Sequence, residues 1–218
     1  MGERARQMGI IGRHLLTFQI SESFTLTIFR WPDRLLAKMQ GNTSTANIAV
    51  LNQAAGGNRI LADGLGPNAL GRIDRDVLSH SGVAYAMIFE GVNDIGVADT
   101  SVATQQSIGT TLIEAFEQIA TRVHALGIPM FAATITPFCG NSSIQPYSDL
   151  EREKTRQRVN TWIRSSGTFD AVIDFDAILR DPKNASQLNP LYNSGDYLHP
   201  NVAGYQLLAD QFPLDIFV

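Results

Sequence analysis

Short, almost wholly apolar runs recur along the chain, and a longer stretch with helical spacing of apolar residues separates each from the next. The runs cover residues 46–51, 83–89, 128–133 and 171–175. Runs that are apolar at nearly every position are typical of strands covered on both faces. Strands joined through whole helices form right-handed β-α-β units. The alternation therefore predicts an α/β fold with a parallel sheet between helical layers.

The segments between these runs carry start and stop signals of helices. Pro32 stands at a first-turn position, and Gly41 and Gly127 follow predicted helix ends. The spacing predicts helices over residues 32–40, 69–80, 101–126, 149–164 and 200–211. In such folds the functional side chains gather at the carboxyl ends of the strands, so polar clusters at those ends are the candidates for chemistry.

Size, charge and cysteine content exclude several classes of protein. The 218 residues fit one domain, and 17 basic against 21 acidic residues give a net charge of -4. This balance disfavours binding to nucleic acid, which rests on clustered Lys and Arg. The lone Cys139 excludes an internal disulfide and a zinc site built on thiolates. We expect no membrane span, because no run of 18 apolar residues occurs, and the N-terminus shows no clear secretory signal, which leaves localisation open.

Three polar segments follow or face the predicted strand ends, at residues 52–59, 90–96 and 195–200. Taken singly, each has an ordinary explanation: a flexible turn, an Asn-Asp turn that bonds its own backbone, and a surface turn with a solvated histidine. Asp196 and His199, however, are three residues apart and can bring a carboxylate to an imidazole. Such a pair fixes the tautomer of the ring and leaves the other nitrogen as a general base.

Together, a glycine-rich loop, a strand-end G-x-N-D at residues 91–94 and a late D-x-x-H-P at residues 196–200 resemble the SGNH hydrolases, also called GDSL-type lipases and esterases. Residues 31–61, 63–67 and 72–77 resemble specifically the secreted acylhydrolase and arylesterase branch. The resemblance divides the chain into a divergent segment, 1–30, and an esterase domain, 31–218. It implies a three-layer α/β/α fold with a central parallel sheet of the flavodoxin-like kind.

The same resemblance implies an activity and a set of residues. The activity is hydrolysis of a small-molecule carboxylic ester, with a short acyl chain or a sugar acetyl group, without metal or cofactor. Gly57 matches the glycine whose N–H joins the oxyanion hole, and Asn93 the asparagine that supplies a second donor. His199 matches the general base and Asp196 the acid that orients it. Acyl transfer needs such donors, because each stabilises the negative oxygen of the tetrahedral intermediate by about 3 kcal/mol.

The serine nucleophile of the family is not identifiable in its usual motif. The family places Gly-Asp-Ser at the end of the first strand, whereas the only Gly-Asp here is Gly195-Asp196, which Tyr197 follows. The best substitute is Ser23, shortly after a possible strand at residues 15–20. The alternative is a pseudo-esterase with an altered N-terminus, which binds acyl or sugar esters without cleaving them. Whether the chain is an enzyme is therefore an open question at this point.

Two other classes have weaker support. Gly56-Gly57 follows a predicted strand, as in nucleotide-binding folds, but the chain lacks both G-x-G-x-x-G and the Lys-Ser/Thr of a P-loop. The remaining histidines, His14, His80 and His124, have no partners at the spacing of metal ligands. We therefore predict neither a nucleotide nor a metal site.

Overall fold

The computed structural model describes the backbone of residues 13–19 and all of residues 30–217. Along the chain the elements are β1 (Arg13–Gln19), α1 (Trp31–Gln40), β2 (Ile48–Asn52), α2 (Ala69–Ile73), β3 (Val83–Phe89), α3 (Val92–Val97), α4 (Val102–His124), β4 (Met130–Ala133), α5 (Leu150–Ser165), β5 (Ala171–Ile173), α6 (Phe175–Leu179), β6 (Arg180–Asp181), β7 (Asn184–Leu188) and α7 (Val202–Gln211). Helix α2 continues into a π-helical turn at Asp74–Leu78. None of the described helices is long and apolar enough to cross a membrane.

Strands β1 to β5 form one sheet in the order β2-β1-β3-β4-β5, and every neighbouring pair is parallel. Strand β1 is central, since it pairs with β2 on one side and with β3, as far as Gln19 opposite Phe89, on the other. The prediction of a parallel α/β fold is confirmed, and the strand order is the flavodoxin-like one. The carboxyl ends of β1, β2 and β3 consequently lie side by side.

Each face of the sheet packs against its own layer of helices. Helices α2, α4 and α5 cover one apolar cluster, and α1, α6 and α7 cover the other. Strand β3 contributes side chains to both apolar clusters, since Ile88 is buried in the first and Met87 in the second. In the second cluster Trp31 packs edge-on against Phe175 at 5.3 Å between ring centroids. Burial on both faces explains why the strands read as continuous apolar runs, and it confirms the three-layer arrangement.

The structure corrects two local predictions near the strand ends. The strand predicted over 171–175 ends at Ile173, because the Asp174 side chain accepts the Ala177 N–H and begins α6. The segment 90–96, interpreted as a loop, is mostly helical, since α3 begins at Val92. Gly91 between them has a φ of 110°, a left-handed conformation that glycine adopts without strain. The chain therefore passes from β3 into α3 within two residues, which places Asn93 in the first turn of a helix.

Candidate active site

The Asp196 carboxylate and the His199 imidazole meet in the segment between β7 and α7. His199 Nδ1 lies 2.5 Å from Asp196 Oδ2, and Asp196 Oδ1 accepts the backbone N–H groups of Leu198 (2.9 Å) and His199 (2.8 Å). Burial alone would raise the pKa of Asp196, but these hydrogen bonds and the nearby imidazole lower it to about 2. The carboxylate is thus ionised at neutral pH and can only accept, so the proton between the two groups belongs to Nδ1. Proton transfer by this ring then falls to Nε2.

The turn that holds the pair is built from local side-chain hydrogen bonds. Asn193 Oδ1 accepts the N–H groups of Gly195 (2.9 Å) and Tyr197 (3.0 Å), and the Ser194 N–H donates to the His199 carbonyl at 2.9 Å. Short Asn and Asp side chains bond their neighbouring backbone in this way and favour turns over helix or strand. The hydrogen bonds between Asp196 and His199 therefore form within one short turn of the chain.

Asn93 lies in the first turn of α3, where it is 5% exposed. Its Nδ2 donates to the Asn58 carbonyl at 2.9 Å, and its Oδ1 accepts the Tyr147 hydroxyl at 3.3 Å. A carbonyl can only accept, so the first contact fixes which end of the amide is nitrogen. One N–H of the amide is thereby used, and the other has no acceptor among the described residues.

Asp94 fastens the glycine-rich loop to the start of α3. Its two carboxylate oxygens accept the backbone N–H groups of Ile60 and Leu61, both at 2.9 Å. Burial raises the pKa of Asp94 in spite of these bonds. In the same loop, Asn58 Oδ1 accepts two N–H groups of the buried Arg72 at 3.2 and 2.6 Å. The loop is therefore held from both sides by buried hydrogen bonds.

Gly57 stands next to Asn58 in that loop, with a φ of 67°. A Cβ added there would lie 2.4 Å from Leu65 Cδ1, so a side chain would both strain the backbone and collide with Leu65. Within residues 30–217 the Gly57 N–H donates to no backbone carbonyl. Gly57 thus directly precedes the residue whose carbonyl accepts the Asn93 amide.

A small recess lies beside His199 and reaches Val92, the residue before Asn93. Its lining includes Phe89 and Val92 from the end of β3, Thr136 from the segment after β4, and His199 and Tyr205. The accessible volume is about 20 Å³, which is roughly the space that one water molecule needs. The lining is mainly apolar, so the recess fits a group of about the size of a methyl.

The sequence analysis missed Glu90, the last residue before Gly91. Glu90 is 1% exposed, and within the described residues neither carboxyl oxygen has a hydrogen-bond partner. Burial first, and the charge of Asp94 second, raise its pKa well above the ordinary value. Burial therefore favours the protonated, uncharged form of Glu90. The available signal was a charged residue directly after an apolar run, where both faces of the sheet are covered.

Of the five residues singled out by sequence, the structure brings Asp196 and His199 into contact and places the Asn93 amide against the carbonyl of Asn58, the neighbour of Gly57. Ser23 lies outside the described residues. Tyr147, which bonds Asn93, was not predicted, and nothing in its sequence neighbourhood points to that contact. Within the part of the chain that the structure describes, no group of three or more His, Cys, Asp or Glu side chains is arranged to hold a metal ion.

Comparison with known proteins defines the class. A family model described as GDSL-like Lipase/Acylhydrolase matches residues 20–212. The chain therefore belongs to the GDSL-like lipase and acylhydrolase family, as its motifs suggested. No curated protein sequence matches the chain at a significant level.

Solved structures share the fold. An acetylxylan esterase from Geobacillus stearothermophilus superposes with a TM-score of 0.64 at 17% identity, covering 94% of each chain. A G-D-S-L family protein from Desulfitobacterium hafniense gives 0.64 at 18% identity, covering 91% of this chain and 96% of its own. A GDSL-like lipase from Bacteroides thetaiotaomicron gives 0.60 at 16% identity over 91% of this chain and 84% of its own. At these identities the likeness establishes the architecture alone.

Proposed function

We propose that the chain is a carboxylic ester hydrolase in which His199 is the general base, Asp196 orients it, and Gly57 and Asn93 supply oxyanion donors. The observation that carries the proposal is the pairing of an ionised Asp196 with His199 Nδ1. A second observation supports it: one amide N–H of Asn93 has no acceptor among the described residues. A base of fixed tautomer facing preorganised donors is the arrangement that acyl transfer requires.

The reaction has two halves, acylation of the enzyme hydroxyl and deacylation by water, and each half includes two proton transfers. A hydroxyl oxygen attacks the ester carbonyl carbon while His199 Nε2 takes the hydroxyl proton. The carbonyl oxygen becomes negative and accepts hydrogen bonds from the Gly57 N–H and the Asn93 amide. The intermediate collapses when the imidazolium returns the proton to the departing alkoxide, leaving an acyl-enzyme. Water then attacks in the same manner, and the products are a carboxylic acid and the regenerated hydroxyl.

The proposed substrates carry small acyl groups. The recess beside His199 has an accessible volume of about 20 Å³, which is room for a group of the size of an acetyl methyl. One of the structural neighbours is an acetylxylan esterase, also described as an acetyl-xylooligosaccharide esterase, which supports acetyl esters of sugars as the substrate class. We expect p-nitrophenyl acetate to be cleaved faster than p-nitrophenyl butyrate.

The proposed nucleophile is Ser23, the serine that follows an acidic residue in the segment after β1. The competing proposal is a pseudo-esterase, and the observation that favours it is the absence of Gly-Asp-Ser from the chain. That protein would bind an acetylated xylooligosaccharide in a calorimeter without releasing acetate. Thr136 provides a further hydroxyl for comparison, since it lines the recess with His199.

Steady-state hydrolysis of p-nitrophenyl acetate by wild type, His199→Ala and Ser23→Ala separates these proposals. We expect both variants to lose activity by about 10³-fold or more. Equal rates for wild type and His199→Ala would contradict the hydrolase proposal. If Ser23→Ala stays active and His199→Ala does not, His199 is supported as the base and Ser23 is not the nucleophile. Thr136→Val then tests the other hydroxyl.

A further inference from the structure

The loop between β4 and α5 contacts both sides of the candidate site. Residues 140–148 of this loop fold back on themselves: the Ser148 hydroxyl accepts the Gly140 N–H at 3.0 Å and donates to the Gly140 carbonyl at 2.9 Å. The Gln145 N–H also donates to the Asn141 carbonyl at 2.8 Å. The loop is thus closed by its own hydrogen bonds, which makes it a suitable support for residues on either side.

Gln145 links this loop to the turn that carries the acid–base pair. The side chain is 4% exposed, and its Nε2 donates to the Asp196 carbonyl at 3.0 Å. Its Oε1 accepts the Tyr147 N–H, also at 3.0 Å. Turning the amide over would place two donors together and two acceptors together, so both contacts require one orientation. A single buried side chain therefore joins the Asp196 backbone to that of Tyr147.

Tyr147 extends the link to the oxyanion side. Its hydroxyl donates to Asn93 Oδ1 at 3.3 Å, and its ring packs so closely on Gly96 of α3 that a Cβ there would lie 2.2 Å from Tyr147 Cδ2. Burial raises the pKa of Tyr147, so the hydroxyl keeps the proton that it donates. Asn93 is in this way held at its oxygen by Tyr147, which leaves its nitrogen to face Asn58 and a ligand.

A second contact joins the same loop to the turn. The Tyr197 ring, between Asp196 and His199, covers Gly140 at a distance that excludes a side chain, since a Cβ there would lie 2.2 Å from Tyr197 Cγ. Tyr197 has a φ of 63°, a conformation that residues other than glycine rarely adopt. The turn is therefore held in a strained shape partly by its packing on residues 140–148.

We propose that Gln145 and Tyr147 are positioning residues, which together set the distance between the Asp196–His199 turn and the Asn93 amide. The inference rests on the proposed ester hydrolysis. In that reaction the same carbonyl group must lie within reach of the oxyanion donors while the attacking hydroxyl lies within reach of His199. One loop that holds both sides fixes that separation, and a displacement of about 1 Å can cost up to about 100-fold in rate.

The test compares Gln145→Ala, Gln145→Glu and Tyr147→Phe with Ile144→Ala, an exposed neighbour in the same loop. Gln145→Glu keeps the acceptor for the Tyr147 N–H but has no donor for the Asp196 carbonyl, so it isolates the link to the turn. In hydrolysis of p-nitrophenyl acetate we expect kcat to fall about 10-fold to 100-fold in both Gln145 variants and about 10-fold in Tyr147→Phe. KM should stay within about two-fold, and Ile144→Ala should match wild type.

Proton NMR gives a readout that does not depend on turnover. The Nδ1 proton between His199 and Asp196 should give a strongly downfield signal, which we expect to shift or broaden in Gln145→Glu and to persist in Ile144→Ala. If wild type hydrolyses the ester while both Gln145 variants match its kcat and its signal, the positioning role is overturned and the proposed function stands. If wild type does not hydrolyse it, the proposed function fails, and an unchanged signal in Gln145→Glu separately overturns the positioning role.

Discussion

Two aspartates, one on each side of the candidate site, make similar contacts and have opposite properties. Asp94 and Asp196 each accept two backbone N–H groups. Asp94 is 3% exposed and burial raises its pKa, whereas the Asp196 side chain is 40% exposed and its pKa falls to about 2. Desolvation therefore determines the direction of the pKa shift of Asp94, whereas hydrogen bonds and the nearby imidazole determine that of Asp196.

The difference indicates separate roles for the Asn93–Asp94 side and the Asp196–His199 side of the site. The side with Asn93 and Asp94 is buried at the ends of central strands, where dipoles keep their orientation and act in a medium of low dielectric. The side with Asp196 and His199 is a turn close to solvent, where a carboxylate stays ionised and water can reach the ring. A rigid donor side and a solvated proton-transfer side suit a reaction that ends with attack by water.

The largest effect is expected from Asp196→Asn, which should lower kcat by about 10³-fold to 10⁴-fold. The asparagine can still accept the backbone N–H groups of Leu198 and His199, so the turn keeps its shape. Its amide does not stabilise a positive imidazolium and favours the wrong tautomer of His199. The control is Asp181→Asn, a half-buried aspartate on β6 that accepts the Lys183 N–H at 2.9 Å. If kcat falls less than ten-fold in Asp196→Asn, the ionised carboxylate of Asp196 is not needed for proton transfer. Asp196 and Asp94 would then not differ in the way described above.

Asn93→Ala should have the next largest effect, about 10²-fold to 10³-fold on kcat, because one preorganised donor is lost. KM should change much less, since the donor acts mainly on the transition state. Asn184→Ala, an exposed substitution on β7, is the matched control. A variant that raises KM and leaves kcat intact would place Asn93 in substrate binding alone.

Asp94→Asn should show its effect in folding. The amide oxygen can accept one of the Ile60 and Leu61 N–H groups, but its nitrogen cannot accept the other. We expect the free energy of unfolding in urea to fall by about 1–3 kcal/mol, the cost of one buried donor without an acceptor. Asp99→Asn, which keeps its bond to the Ser101 N–H, should leave stability unchanged. Equal stabilities of the two variants would show that Asp94 does not hold the loop.

Glu90→Gln tests the buried acid through the pH dependence of stability. The raised pKa of Glu90 means that the folded state binds a proton more tightly than the unfolded state. Stability from this group is therefore complete below the unfolded pKa of about 4.3 and declines as pH rises toward the folded pKa, by at most about 1.4 kcal/mol per pH unit. Urea unfolding at pH 5 and pH 8 should show a decline in wild type that is reduced in Glu90→Gln. Identical pH dependence in both proteins would contradict a protonated Glu90.

The fold was readable from the sequence because its signals are local. Strand β3 was predicted with the bounds that it has, Val83–Phe89, since burial on both faces leaves a continuous apolar run. The contact between Asp196 and His199 is also local, because three residues separate the two side chains along one turn. Resemblance to the family then supplied Gly57 and Asn93, which no local pattern would have selected.

The contacts that support the site could not be predicted from the sequence. Asn58 and Asn93 are 35 residues apart, and Gln145 and Asp196 are 51 apart, so these contacts exist only once the sheet has brought the loops together. The raised pKa of Glu90 likewise follows from burial that a single sequence does not reveal. The start of α3 at Val92 depends on the backbone of Gly91, whose left-handed conformation was not anticipated.

Labelling with a fluorophosphonate, followed by intact-mass measurement and peptide mapping, tests the central claim most directly. This reagent phosphonylates a hydroxyl only when a base activates that hydroxyl and donors stabilise the negative oxygen, so it probes both sides of the site at once. We predict one adduct per wild-type chain, mapped to Ser23, and no adduct on His199→Ala. An unlabelled wild-type protein, or His199→Ala labelled as fast as wild type, would contradict the account.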